Sequence, residues 1–198
     1  MTLETLLALM TFALVSSITP GPNNLMVLAS GANFGIRRTV PHLLGISLGH
    51  AFMVLLLGLG LGQVFVTWPV FHDVLKIASV AYMAWLAWKI AHAAAPEGAE
   101  TAGRPFTFLQ AAAFQWVNPK AWVMGITAVT VYTTPGAGAL GALLVAVAFC
   151  ATNFPSVSVW AWMGTQVARW LSSPGRLRLF NWTMAILLMA SLIPILLG

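Results

Sequence analysis

Thr19-Pro20-Gly21-Pro22-Asn23-Asn24 interrupts a run of mostly apolar residues that extends from Leu3 to Phe34. As one helix those 32 residues would be about 48 Å long at 1.5 Å per residue, well beyond the about 30 Å of a bilayer core. The two prolines remove two backbone donors, and Gly21 frees the chain between them. Carbonyls released in this way inside a bilayer need partners, so the break must face protein or a wet cavity. Asn23 and Asn24 place two amides at the same depth. A second stretch, Gln115-Trp116-Val117-Asn118-Pro119-Lys120, repeats the theme. Lys120 lies 12 residues after Phe108, about 18 Å along a helix, out of easy reach of either interface. An ammonium at mid-depth costs at least about 2.5–3.5 kcal/mol, so its surroundings must solvate it.

The composition agrees with this membrane reading. Of 198 residues, 60% are apolar and 13 are charged (9 Lys+Arg, 4 Asp+Glu), and the mean hydropathy is +0.89. Soluble domains carry about 25% charged residues; 7% leaves too little polar surface to cover a soluble globule. A secreted disulfide scaffold, a disordered chain and a nucleic-acid binder are excluded together, and the single Cys150 has no partner for an internal disulfide. At about 20 residues per span, the chain holds about six, at roughly 3–34, 41–62, 74–92, 108–131, 138–167 and 179–197. The expected connections are Gly35–Val40, Gly62–Asp73, Ala93–Phe106, Tyr132–Ala137 and Ala168–Arg178. The first span lacks a basic leader and a small-x-small cleavage site, so it is read as retained.

Seven of the nine bases fall on alternate connections: Arg37, Arg38, Lys89, Arg104, Arg169, Arg176 and Arg178. Lys76 is alone on the other side. Positive charge marks the cytoplasmic face, which places both termini outside the cytoplasm; Trp85, Trp88, Trp170 and Trp182 lie near the inner boundary. Pro22 and Pro119 are 97 residues apart, almost half the length. Each belongs to the first helix of a three-span half, and an odd span count inverts one half relative to the other. The expectation is an all-α integral membrane protein, six transmembrane helices as two inverted three-helix repeats with broken first helices. It forms a single transmembrane domain, 1–198, with halves of about 1–95 and 105–198. Such a construction belongs to secondary transporters.

At these residues the sequence resembles the LysE/RhtB family of bacterial amino-acid exporters. The matching pieces are Thr19-Pro20-Gly21-Pro22-Asn23-Asn24, Gly45-Ile46-Ser47-Leu48-Gly49, Tyr82-Met83-Ala84-Trp85-Leu86-Ala87-Trp88-Lys89 and Asn118-Pro119-Lys120. Ala87-Trp88-Lys89-Ile90-Ala91 and Gly125-Ile126-Thr127-Ala128 look closest to the cysteine/O-acetylserine exporter branch. The resemblance implies efflux of small amino acids from the cytoplasm through the bacterial inner membrane, driven by the proton gradient; it gives His50 no role.

The residues themselves suggest how a zwitterion is held. Half-helix N-termini after Pro22 and Pro119 receive the carboxylate, with Lys120 adding a full charge. Carbonyls freed before Pro20, Pro22 and Pro119, with the amides of Asn23, Asn24 and Asn118, receive the ammonium; Gly21 completes the break. No acidic residue is expected at membrane depth, which favours small neutral amino acids or derivatives such as cysteine, O-acetylserine, threonine or homoserine. His50 and Lys120 are the candidates for proton coupling, although a structural histidine is the plainer reading of His50. Gln115 and Asn153 are candidates to line the pathway, and Asn153-Phe154-Pro155 to kink the fifth span. Gly45 and Gly49 read as a close helix-packing face, as do Gly58, Gly60 and Gly62, and Cys150 as a buried small hydrophobe. Gly45-x-Ser47-x-Gly49 also matches a hydrolase elbow, but a continuous apolar helix lacks the required strand-turn-helix. A rhomboid-type intramembrane protease would need a histidine on another helix. No enzyme activity, cofactor, metal site or nucleic-acid partner is expected. The partners are the amino acid, protons and the bilayer, with small-residue faces that permit a homodimer. A passive channel or structural membrane subunit is the alternative reading.

Overall fold

The computed structural model describes residues 1–61, 67, 70–92, 104–133, 136–171 and 173–193; Gly62 lies outside them. Every regular element among these is helical: α1 Leu3–Ile18, α2 Pro22–Leu56 continued by a π-helical turn Leu57–Leu61, α3 Val70–Ala91, α4 Phe108–Gln115, α5 Pro119–Tyr132, α6 Gly138–Ala168 and α7 Pro174–Ala190. Three helical stretches, Pro22–Leu61, Asp73–Ala91 and Gly138–Ala168, are long and apolar enough to cross a membrane, and Leu3–Ile18 is a shorter apolar helix.

Both expected breaks are present. Thr19, Pro20 and Gly21 separate α1 from α2, and Trp116, Val117 and Asn118 separate α4 from α5. In each case a proline opens the second helix, the position where its missing N–H costs nothing. Asn118 caps α5 by accepting from the Lys120 amide at 3.2 Å, while Thr107 and Gln110 close a reciprocal capping box at the start of α4.

Two connections are shorter than the sequence suggested. The chain turns at Gly35 alone (φ 76°, ψ 166°), a mirror-image extended conformation essentially restricted to glycine. Residues 36–40 are already helical. Thr39 Oγ1 donates back to the Gly35 carbonyl at 2.9 Å, and the Ser30 and Thr39 hydroxyls, 2.9 Å apart, tie the two arms of α2 together. Likewise α7 begins at Pro174 rather than after Arg178, because Ser173 Oγ accepts from the Arg176 amide and supplies an N-cap. Helix α6 passes through Pro155 without ending.

Polarity is distributed inside out. Leu7 and Val15 of α1, Ile77 and Trp88 of α3, Leu140 and Trp162 of α6, and Leu179 and Ile186 of α7 are exposed, whereas Asn24, His42, Ser47, His50, Gln115, Asn118, Asn153 and Asn181 are buried. An apolar exterior around a polar interior is the arrangement a lipid solvent selects.

Close packing uses small residues. A Cβ at Gly31 would overlap the Ala161 carbonyl oxygen, and one at Gly164 the Leu28 carbonyl oxygen, so the first arm of α2 lies directly on α6. Gly45 and Gly49 perform the expected packing role against α4: a Cβ at Gly49 would stand 2.6 Å from the Ala112 Cα. Gly58 packs similarly on Ala142, but among the described residues nothing lies within 4 Å of a Cβ at Gly60. Gly60 is there for its backbone, with φ 114°. Cys150 is half-buried rather than enclosed.

Candidate functional site

The two breaks meet. Asn23 and Gln115, one beside each interruption, form a reciprocal amide pair: Asn23 Nδ2 donates to Gln115 Oε1 at 2.9 Å and Gln115 Nε2 to Asn23 Oδ1 at 3.2 Å. Gln115 Nε2 also donates to the Ala111 carbonyl at 2.8 Å, so α4 holds the amide that grips α2. Gln115 is fully buried and is not among the side chains lining the cavity beside the breaks.

The last carbonyls of α1 have no intrahelical donors and are taken by side chains from three other elements. Asn24 Nδ2 donates to the Ser17 carbonyl at 2.9 Å and to that of Thr19 at 2.7 Å. Trp160 Nε1 of α6 donates to the Ile18 carbonyl at 2.9 Å. Lys120 Nζ donates to the Thr19 carbonyl at 2.7 Å, to Thr19 Oγ1 at 3.0 Å and to the Pro20 carbonyl at 3.3 Å. The ammonium therefore sits at the negative end of the α1 dipole. Lysine and freed carbonyls, assigned by the sequence reading to opposite ends of a ligand, are here bonded to each other.

Gly21 makes room for this. Its φ of −178° is extended backbone open to any residue, but a Cβ there would stand 2.8 Å from Lys120 Cδ and 3.1 Å from Nζ. Space for the lysine stem, not backbone freedom, is what requires glycine.

A cavity of about 20 Å³ lies beside these contacts, lined by Gly21, Asn23, Asn24, Asn118 and Lys120 from the breaks, His50 from the second arm of α2 and Asn153 from α6, together with Ser16 and Ser17. Pro20, Pro22 and Pro119 shape the breaks without lining it. Ser17 Oγ, His50 Nε2 and Asn153 Oδ1 are buried with no hydrogen-bond partner among the described residues. Each such orphan costs about 1–3 kcal/mol. Three of them surround one cavity, whose volume suffices for a water but not for an amino acid.

Ser16 and Ser17, which line the cavity, and Trp160, which donates to the Ile18 carbonyl, were not singled out by the sequence reading, whereas the Thr19 carbonyl was implied as the one freed before Pro20. The serines were discoverable, since they directly precede the break; nothing in the sequence pointed to the Trp160 indole. His42 is fully buried, its ring 5.2 Å from that of Phe106.

Comparison with known proteins adds an independent line. The LysE type translocator family profile matches residues 14–192. The cysteine/O-acetylserine efflux proteins of Escherichia coli K12 and Shigella sonnei are each 38% identical over 141 residues, covering 71% of this chain and 71% of theirs. That of Escherichia coli O6:K15:H31 is 38% identical over 142 residues, with the same coverage. No solved structure matches. A profile spanning nearly the whole chain and relatives of this identity and coverage establish that the protein belongs to the LysE family of translocators and is a transporter rather than an enzyme.

Proposed function

We propose that the protein is a secondary-active exporter of small neutral amino acids or their derivatives, of the cysteine, O-acetylserine, threonine or homoserine type, driven by the proton gradient across a bacterial inner membrane. The proposed frame is six spans in two inverted halves, with both termini outside the cytoplasm and the two broken helices meeting at the substrate site. The observation that carries this reading is the cavity where Lys120, Asn24, Asn118 and three unpartnered polar atoms converge. The cysteine/O-acetylserine efflux relatives support the substrate class.

In the proposed cycle the site opens, the substrate ammonium replaces that of Lys120 on the Thr19 and Pro20 carbonyls, and the released lysine takes the carboxylate. The N-termini of α2 and α5 add their partial positive charge. Ser17 and Asn153 meet the polar side chain. His50 and Lys120 are the proton-coupling candidates. No acidic side chain lines the cavity, which argues against a cationic substrate. Polar groups gathered at one small cavity, rather than strung along a continuous line through the helices, favour a carrier over a passive channel.

The test is a solute screen in reconstituted vesicles, wild type against Lys120→Ala, with the pH gradient imposed and removed. Saturable flux of neutral amino acids that needs both the gradient and Lys120 is expected. Preference for arginine or lysine, or undiminished flux in the variant, overturns the proposal.

A further inference from the structure

A second cavity, of about 190 Å³, lies between the first arm of α2, the C-terminal end of α3 and the segment entering α4, and shares no lining residue with the central one. Its floor is apolar (Phe34, Trp88 and Phe106 among others) and its polar groups include Lys89 and Arg104; no described lining residue is acidic. Lys89 Nζ rests over the Trp85 ring at 4.8 Å and the Phe106 ring at 4.9 Å. The guanidinium of Arg38 lies 5.6 Å from the Phe34 ring, bringing a third base to the same end of the molecule.

We propose that this cavity holds the headgroup of an anionic phospholipid. A zwitterionic amino acid fits poorly, because its ammonium would meet only neutral groups such as Ser30 and Asn33 beside two like charges. A phosphate needs only the bases. The surroundings favour a lipid over a free anion: Trp88 and Trp182 are 60% and 44% exposed, and both lie tilted against the His92 ring, with centroids 4.9 Å and 5.9 Å away. Outward-facing indoles beside basic side chains form the interfacial belt where glycerol and acyl groups lie. Basic pockets between helices at that level are suited to acidic headgroups. The proposal is independent of the transported solute, so transport and lipid binding fail or succeed separately.

Native mass spectrometry of the full chain in detergent tests it, with phosphatidylglycerol, phosphatidylcholine and soluble glycerol phosphate as the probes. Phosphatidylglycerol should be retained over phosphatidylcholine. Lys89→Gln with Arg104→Gln should weaken it about 30-fold, from about fivefold per base, while Arg176→Gln with Arg178→Gln leaves it unchanged. Where the first pair fails to fold, Arg104→Gln alone carries the fivefold expectation. Equal losses in both pairs, no loss in the first, or glycerol phosphate competing as well as the lipid overturns the proposal.

Discussion

Replacing Gly21 with alanine separates the role of Lys120 from the integrity of the fold. The backbone at Gly21 (φ −178°, ψ 177°) accepts alanine without strain, so the added methyl acts only through space. It would stand 2.8 Å from Lys120 Cδ and 3.1 Å from Nζ, closer than carbon and nitrogen tolerate. The flexible stem gives way, and the ammonium leaves at least one of its three oxygens, at 2.7, 3.0 and 3.3 Å. A hydrogen bond to a charged group is worth about 1.5–3 kcal/mol, so efflux should fall about 10- to 150-fold if the lysine geometry sets the rate. The loss of stability should be of the same size at most, because the displaced ammonium still faces the cavity. The assay is efflux of labelled O-acetylserine or cysteine from reconstituted vesicles, with thermal unfolding in detergent as the control. Wild-type efflux by Gly21→Ala, alongside an inactive Lys120→Ala, would refute the reasoning: the lysine would then matter without its place on the carbonyls mattering.

Asn23→Ala and Gln115→Ala should each cost about 1–3 kcal/mol by breaking both hydrogen bonds of the pair, at about 0.5–1.5 kcal/mol each, and the double variant should cost less than their sum by about 0.5–3 kcal/mol. Strict additivity on denaturation would mean that the pair in the structure does not join the two breaks energetically. Gly31→Ala should destabilise by about 3 kcal/mol through overpacking, since the neighbour is the Ala161 backbone rather than a mobile side chain. An unchanged melting temperature would dismiss the α2–α6 contact as described. Gly35→Ala should cost about 1–3 kcal/mol for the opposite reason: nothing lies within 4 Å of its Cβ, but the backbone sits at φ 76°. Gly35→Asn, measured in the same way, should also be destabilised.

Much of this was legible because proline and isolated charge leave marks in a sequence that membrane packing cannot disguise. Pro22 and Pro119 each open a helix in the structure, and the two asparagines with Lys120 point to the cavity, because a bilayer forces polar groups to find one another. Packing at Gly45 and Gly49 was legible for a related reason: small residues one helical turn apart present a flat face. Connection lengths were not. Gly35 turns the chain in one residue, and Ser173 begins α7 early; both depend on single dihedral angles and caps that hydrophobicity does not encode. The partners of the α1 carbonyls were hidden as well. Trp160 is 142 residues from Ile18, and an indole N–H carries no signature beyond the apolar run that contains it.

The bond between Lys120 and the carbonyls constrains which solute the proposed cycle can carry. Because the ammonium already occupies the Thr19 and Pro20 oxygens, binding must be an exchange rather than an addition. An anion alone can attract the lysine away, but it strips the Pro20 carbonyl of the lysine's hydrogen bond and leaves the Thr19 carbonyl with Asn24 Nδ2 alone. A second cation displaces the lysine into a cavity whose lining contains no carboxylate. A zwitterion repairs both ends at once: its ammonium restores the carbonyl bonds, its carboxylate balances the freed lysine, and the net charge of the site rises by nothing. In the proposed cycle the same charge balance disfavours arginine and a short polar side chain reaches Ser17 and Asn153, so the selectivity we propose for small neutral solutes would come from the contacts of Lys120 rather than from a dedicated side-chain pocket.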